Sequence, residues 1–509
     1  MSDLKQEHGG NPTDADNDFP RRVSTTEHTL QLPSGPLVYK AIADWISLRK
    51  IHKPVAHLFH TAYIAEPQDG ARPLTFVFNG GPGAASAYLH MGALGPQRVA
   101  FGKMGSLPEP PTQVVDNQET WLSFTDLVFI DPVGTGFSRA IQESGAEKKA
   151  EGGKDKSSET GLEENPEFWE IEKDLDALGE FICRFLSKYH RWTSPLFIAG
   201  ESYGGFRVAR MARRLQEQHG VGLCGAILIS PAIELDALLD SDYNLNYWVE
   251  LFPSLVAAAH HHGRTRDLGD DDFQRQGEAF ANNELVRWLT QGEALPADER
   301  ASIVARMSAL TGLSATVLER AAGRISATHF CRELLRDEQR LCGRYDASVT
   351  TVDPFPDRND YEGPDPTLFS IDRLFTGAIN HHLRSNLNVE TELDYRLLSM
   401  QVNEAWKDKS KRHFFDRQVG AMDDLRYGMS LNGHMKVSIT HGRFDLITPY
   451  FGSQRLTKLM KLTDEQQANL TSRTFDGGHM FYSWDESRIE FHAEMRQFYQ
   501  SALPGDRDT

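Results

Sequence analysis

Positive charge, cysteine and long apolar runs are all scarce in this chain of 509 residues. Lysine and arginine number 54 against 72 aspartates and glutamates, which leaves a net charge of −18. A surface of that sign repels a phosphate backbone, so nucleic acid is excluded as the main partner. Four cysteines, Cys183, Cys224, Cys331 and Cys342, are too few and too scattered for a disulfide framework, although Cys331 and Cys342 are near enough in sequence to pair. No C-x-x-C spacing suggests zinc, and H-E-x-x-H occurs nowhere. There is no run of about 18 apolar residues to span a bilayer. Met1–Asp18 is polar and acidic, without the apolar stretch of a secretion signal. The expectation is a soluble cytoplasmic protein with reduced thiols, no membrane attachment, no metal and no cofactor. Its oligomeric state stays open.

What the chain does have is organised around Pro195–Arg207. Leu196–Ala199 is a short apolar run bounded by Pro195 and Gly200, which predicts a buried strand. Gly200-Glu201-Ser202-Tyr203-Gly204 follows directly and matches G-x-S-x-G. Phe206, Val208, Ala209, Met211, Ala212 and Leu215 then recur at helical spacing. Strand, sharp turn and helix is the setting that lifts a serine hydroxyl clear of a sheet, so Ser202 is the candidate nucleophile.

The rest of the chain supplies a frame for that turn. Residues 1–20 hold almost no apolar side chains and read as a disordered tail. Residues 21–234 form the first part of a core that opens with an antiparallel meander over Arg22–Ala65. Buried strands follow at Leu74–Phe78, Leu127–Ile130 and Gly225–Ile229, with an amphipathic helix over Phe168–Tyr189. Residues 140–166 are rich in Glu, Lys, Gly and Ser and are expected to form a mobile surface loop. Alternation of strands and helices implies a mostly parallel sheet. Between 235 and 430 the pattern is helical, with no strand evident, and reads as an inserted cap. In it, His260–His262 and His381–His382 are expected at the surface, because consecutive helical residues do not converge on a metal. Strands return in residues 431–503 at Lys436–Gly442 and Ser472–Phe475, and a helix over Trp484–Leu503 closes the core.

A serine hydroxyl needs a base, and the base needs an orienting acid. In α/β-hydrolases the chain order is Ser, Asp or Glu, then His, each just after a strand. Ser202, Asp445 and His479 meet both conditions; Asp476 is a rival acid but lies too near His479 along the chain to orient it well. Asn79-Gly80-Gly81-Pro82-Gly83, also after a strand, suits an oxyanion-binding loop.

These motifs, with Gly92-Ala-Leu-Gly-Pro96, Asp131-Pro-Val-Gly-Thr-Gly-Phe-Ser138, Gly442-Arg-Phe-Asp445 and Gly478-His-Met480, resemble the serine carboxypeptidase family, peptidase family S10. The matches run in order over about residues 70–232 and 435–485. The resemblance implies an α/β-hydrolase fold and a peptidase of a bacterial, cytoplasmic type that removes C-terminal residues from a peptide substrate through an acyl-enzyme. By similarity, the amides of Gly81 and Tyr203 form the oxyanion hole, while Asn79, the amide of Gly80 and Glu201 hold the substrate's terminal carboxylate. Three positions depart from the family pattern. Phe78 replaces a Trp, Ala84 replaces a disulfide-forming Cys, and Ala93 replaces a Glu that pairs with the acid beside the nucleophile. Loss of that pair predicts weaker discrimination for a free C-terminus. An esterase or acyltransferase on the same scaffold is the alternative enzyme, and a catalytically silent binding protein the alternative outside enzymes.

Overall fold

The computed structural model describes residues 22–66, 72–141, 166–266, 272–359, 365–407 and 419–503. Its main sheet contains β1 (Ser24–Leu32), β2 (Gly35–Lys50), β3 (Lys53–Glu66), β4 (Leu74–Phe78), β5 (Asp126–Ile130), β6 (Leu196–Glu201), β7 (Gly225–Ile229), β8 (Lys436–Gly442) and β9 (Leu470–Phe475). They lie in the order β1-β2-β3-β5-β4-β6-β7-β8-β9, with a two-residue strand, Arg139–Ala140, beside β3. The first three strands and the β3–β5 pair are antiparallel; every pair from β5 to β9 is parallel. The opening meander and the mostly parallel α/β body are therefore as expected.

The strand sequences explain why both faces of this sheet are covered. Every residue of β4, β5, β6 and β7 is buried, as near-continuous apolar runs in parallel sheets require. Successive side chains point to opposite faces. Ile198, Ala226 and Leu228 pack with α1 (Ile171–Lys188) and α2 (Tyr203–His219), whereas Phe197, Ala199 and Ile227 face the other way. Between β7 and β8 the chain forms α3 (Leu245–His261), α4 (Leu368–His381), α5 (Met422–Leu431) and further helices, Ala297–Thr311 among them. Finally, α6 (Asp485–Ala502) packs Phe491, Met495 and Tyr499 on the Phe197 face. A third apolar cluster, built around Leu251, Leu255, Val304, Leu310 and Phe330, belongs to the β7–β8 connection and reaches Phe444 and Tyr450 beyond β8.

Three expectations change. The β7–β8 connection is not wholly helical: Arg340–Cys342 pairs with Thr350–Val352 in a small antiparallel sheet. Strands of three residues are too short to show a period. His382 is buried instead of exposed, because Tyr63 Oη lies 2.6 Å from the Nε2 atoms of both His382 and His90. A phenol that donates to one ring and accepts from the other satisfies this contact. Of the other cluster, His260 stacks on Phe273 at 4.3 Å and His262 approaches the Ala347 carbonyl at 2.8 Å, so neither is simply solvated. Cys331 and Cys342 are both free and buried. The expected tail over residues 1–20 and nearly all of the loop over 140–166 fall outside the described residues. Among the described residues, no helix is long and apolar enough to cross a membrane.

Candidate active site

Loops leaving the C-terminal ends of β4, β6 and β9 line one cleft, where ligand sites of open α/β sheets form, and the loop after β8 lies behind it against His479. β6 hands Ser202 to the start of α2 with φ 61° and ψ −125°, a conformation that a non-glycine residue avoids unless its surroundings impose it. The Ser202 amide donates to the Ile229 carbonyl, and its own carbonyl accepts from Gly205 and Ala232. These bonds fix the turn from both sides. A Cβ on Gly204 would stand 2.5 Å from the Phe78 carbonyl oxygen, and one on Gly80 would stand 2.5 Å from the Tyr203 nitrogen. Only glycines let the loop after β4 lie against the turn after β6, which brings the Gly81 and Tyr203 amides onto neighbouring segments.

The acid and the imidazole come from β8 and β9. His479 Nδ1 is 2.7 Å from Asp445 Oδ2, and both residues are buried. Asp445 also accepts from the Ile447 amide at 2.8 Å, the Thr448 amide at 3.0 Å and the Thr448 hydroxyl at 2.7 Å. Burial alone would raise the Asp445 carboxyl, but His479 and the Thr448 donors outweigh it and hold the group below its ordinary range. Conversely, burial would lower the imidazole, yet Asp445, then Glu201, lift His479 above 6.5. Asp476 is half exposed and pairs with Arg443 at 3.0 Å. Asp445 is the acid that reaches His479.

Ser202 and His479 line the cleft with Asn79, Gly80, Gly81 and Glu201, and the cleft encloses about 90 Å³. Tyr203 contributes only backbone here, since its ring is buried beside Phe206 and its hydroxyl accepts from Trp406 Nε1 at 3.1 Å. Glu201 is buried, with Asn79 Nδ2 donating to Oε2 at 2.5 Å and Tyr482 Oη donating to Oε1 at 2.8 Å. Burial is the main reason its carboxyl rises to about 7; His479, Tyr482 and Asn79 pull the other way. Tyr88, Tyr345, Thr367, Ile371 and Leu398 also stand in the wall. Sequence reasoning did not single out Tyr482, Thr448 or Tyr345. Thr448 alone carried a local signal, a hydroxyl three residues after the candidate acid. Among the described residues no group of three or more His, Cys, Asp or Glu could hold a metal ion.

Comparison with known proteins identifies the family. A family model described as serine carboxypeptidase matches residues 34–491, so the match runs through the β7–β8 connection, where the sequence offered no motif. Serine carboxypeptidase-like 45 of Arabidopsis thaliana is 27% identical over 218 residues, 42% of this chain and 41% of that protein. Pheromone-processing carboxypeptidase KEX1 of Phaeosphaeria nodorum is 30% identical over 191 residues, 36% of this chain and 24% of that protein. The chain thus spans less than half the length of these curated relatives. The crystal structure of a prohormone-processing carboxypeptidase from Saccharomyces cerevisiae superposes with a TM-score of 0.53 at 16% identity, covering 92% of this chain and 93% of that one, which establishes the shared fold. With the family model matched along most of its length, this chain belongs to the serine carboxypeptidase family.

Proposed function

We infer that the protein is a serine-type carboxypeptidase that cleaves peptides near the C-terminus through an acyl-enzyme on Ser202. The observation that carries this reading is the convergence of a strained Ser202 and an Asp445-oriented His479 on one cleft. The Ser202 hydroxyl attacks the scissile carbonyl carbon while its proton passes to His479 Nε2. Negative charge developing on the carbonyl oxygen is met by the Gly81 and Tyr203 amides. Collapse of that intermediate breaks the C–N bond, and the proton held by His479 leaves with the amine. Water then repeats the sequence on the ester, releasing the acid and restoring Ser202.

On this reading residues 21–234 and 431–503 form the catalytic core, and residues 235–430 cap it. The cap and neighbouring loops give the cleft an apolar wall of Ala84, Leu368, Ile371, Leu398 and Met480, which suits apolar side chains on the substrate. The buried free thiols of Cys331 and Cys342, engaged with the Gly343 carbonyl and His262 instead of with each other, suit a reducing compartment such as the cytoplasm.

The test is labelling with a fluorophosphonate probe, followed by matched peptide and acyl-ester panels. Wild type should label and prefer peptides, and Ser202→Ala should lose the label and peptide turnover together. Label that persists on Ser202→Ala would overturn the nucleophile. A marked preference for simple esters would move the assignment to an esterase.

A further inference from the structure

Residues 396–407, late in the β7–β8 connection, are tied down at both ends. Arg396 exchanges both backbone bonds with Gly136, in the loop after β5, at 2.8 and 3.2 Å. At the far end the Lys407 amide donates to the Trp169 carbonyl at 3.0 Å, and its carbonyl accepts from the Ile171 amide at the start of α1 at 3.3 Å. Between these anchors the segment lies against the loop after β4. The Ser399 amide donates to the Gly83 carbonyl at 2.8 Å and the Leu397 carbonyl accepts from the Ala85 amide at 2.9 Å. These two bonds make Ala84 and Leu398 an antiparallel pair of the non-hydrogen-bonded kind. A Cβ on Gly83 would stand 2.4 Å from the Ser399 carbonyl oxygen, so only glycine admits so close an approach.

Two side chains of this segment reach the two residues that supply the oxyanion amides. Asn403 Nδ2 donates to the Pro82 carbonyl at 3.0 Å, one residue beyond Gly81. Trp406 Nε1 donates to the Tyr203 hydroxyl at 3.1 Å, and its ring meets the Tyr203 ring edge-on with centroids 5.5 Å apart. Asn403 lies in the short helix Met400–Ala405 and Trp406 caps its end, so the two side chains leave one rigid turn. We propose that Asn403 and Trp406 are positioning residues that fix the spacing of the Gly81 and Tyr203 amides, with residues 396–407 acting as a bracket across the oxyanion hole. The proposal rests on the peptidase reading above and deepens it.

The physical need for a bracket lies in the loop itself. Three of the four residues Gly80–Gly83 are glycine, and glycine leaves a free backbone the widest choice of conformations. Gly81 and Gly83 both take positive φ, 98° and 103°. An oxyanion hole works only when both donors already stand about 2.7–3.1 Å from where the charge will form, so that no reorganisation is needed as it develops. The elbow fixes the Tyr203 amide through α2, but a glycine loop has no such stiffness of its own. Asn403 supplies it on one side, Trp406 ties it to the other, and the anchors at Gly136 and α1 hold the bracket to the core. Neither side chain lines the cleft, so both act through the backbone they hold.

The experiment measures kcat and KM for one N-blocked apolar dipeptide, and Ki for an N-blocked apolar peptide aldehyde, in wild type, Asn403→Leu and Trp406→Phe. Each variant deletes a donor and keeps most of the side chain's bulk. Addition of the Ser202 oxygen to the aldehyde carbon puts the hemiacetal oxygen in the oxyanion hole, with nothing leaving. Per site titrated with fluorophosphonate, kcat should fall about tenfold with KM within about twofold, and the aldehyde Ki should rise by about the same tenfold. Variants that only lose titratable sites, with kcat per site and Ki unchanged, overturn the proposal. A rescue tests loop position directly. Partners of the Ala84–Leu398 kind stand about 4.5 Å apart at Cα, within the span of a disulfide. Ala84→Cys and Leu398→Cys are therefore added to Asn403→Leu and oxidised with glutathione disulfide, which takes two electrons and both thiol protons and leaves as two thiols. Closing the bridge should raise kcat about threefold or more, and dithiothreitol should reverse the gain; a closed bridge with no gain overturns the proposal. Labelling of the wild type separates the two readings. A labelled wild type with unresponsive variants overturns the bracket alone, and an unlabelled one overturns the peptidase reading with it.

Discussion

On the mechanism proposed above, His479 carries the proton on which the reaction turns, and its affinity for that proton is set by the charge next to it. Asp445 is buried and ionised, with Thr448 and the Ile447 amide directed at its oxygens. Its charge, followed by that of Glu201, keeps the imidazole above 6.5 in spite of burial. Catalysis needs the neutral ring, so kcat/KM falls as pH drops through that raised value. Asp445→Asn removes the charge while keeping the shape. The acid limb of the pH–rate profile should then move to lower pH, while the plateau falls by about 10⁴ because the wrong tautomer is held. A pH–rate series on a peptide amide checks both effects. A lower plateau with an unmoved acid limb would mean that Asp445 orients the ring without tuning it.

At the scale of elements, the turn that carries Ser202 is anchored by one buried cation. Arg207 on α2 forms a two-pronged pair with Asp174 on α1, at 2.7 and 3.1 Å, and donates to the Asn79 carbonyl at 2.5 Å. It is 1% exposed. Burial pushes the Asp174 carboxyl up and Arg207 draws it back, so removing the arginine strands a buried acid. Arg207→Met should lower stability by about 3–5 kcal/mol, and adding Asp174→Leu should restore part of the loss, since an apolar pair carries no desolvation cost. Denaturant unfolding of the two singles and the double resolves this. If the double is less stable than either single, packing and not the stranded charge is responsible. The same elements show what could be read from sequence and what could not. β4, β6 and β7 were legible because strands buried on both faces are continuously apolar, and the elbow because its motif sat between a strand and a helix. Ser202, Asp445 and His479 could be picked out because each follows a strand that advertises itself. Arg207 could not be read as an anchor, nor His382 as buried, nor Tyr482 as a partner of Glu201. Those roles depend on residues 33, 319 and 281 positions away, and no local pattern encodes such a distance.

Across the whole molecule, the β7–β8 connection does more than line the cleft. Tyr345 accepts from the His479 amide at 2.5 Å through its carbonyl, and Asp346 Oδ2 accepts from the Gly478 amide at 3.0 Å. The loop that presents the imidazole is thus held by a segment inserted more than a hundred residues earlier in the chain, and the two must fold as one unit. Asp346 is buried, and burial, opposed by Ser348 and the Gly478 amide, raises its carboxyl to about 6. A carboxyl raised in the folded state gives stability that is complete below its unfolded pKa of about 3.9 and is lost as pH rises through about 6. At neutral pH the protein therefore holds a strained anion in order to grip the Gly478–His479 loop. Asp346→Asn replaces that anion with a neutral group that has a single acceptor oxygen, which cannot serve both Gly478 and Ser348. Relative to wild type, the variant should gain stability between about pH 4 and 6 and level off above that, and its turnover should fall about tenfold through a looser imidazole. Thermal melts across that range, paired with kcat at pH 8, measure the two effects together. A stability difference that does not change with pH would show that Asp346 is not strained by its charge, and an unaltered kcat would show that Tyr345 alone holds the loop.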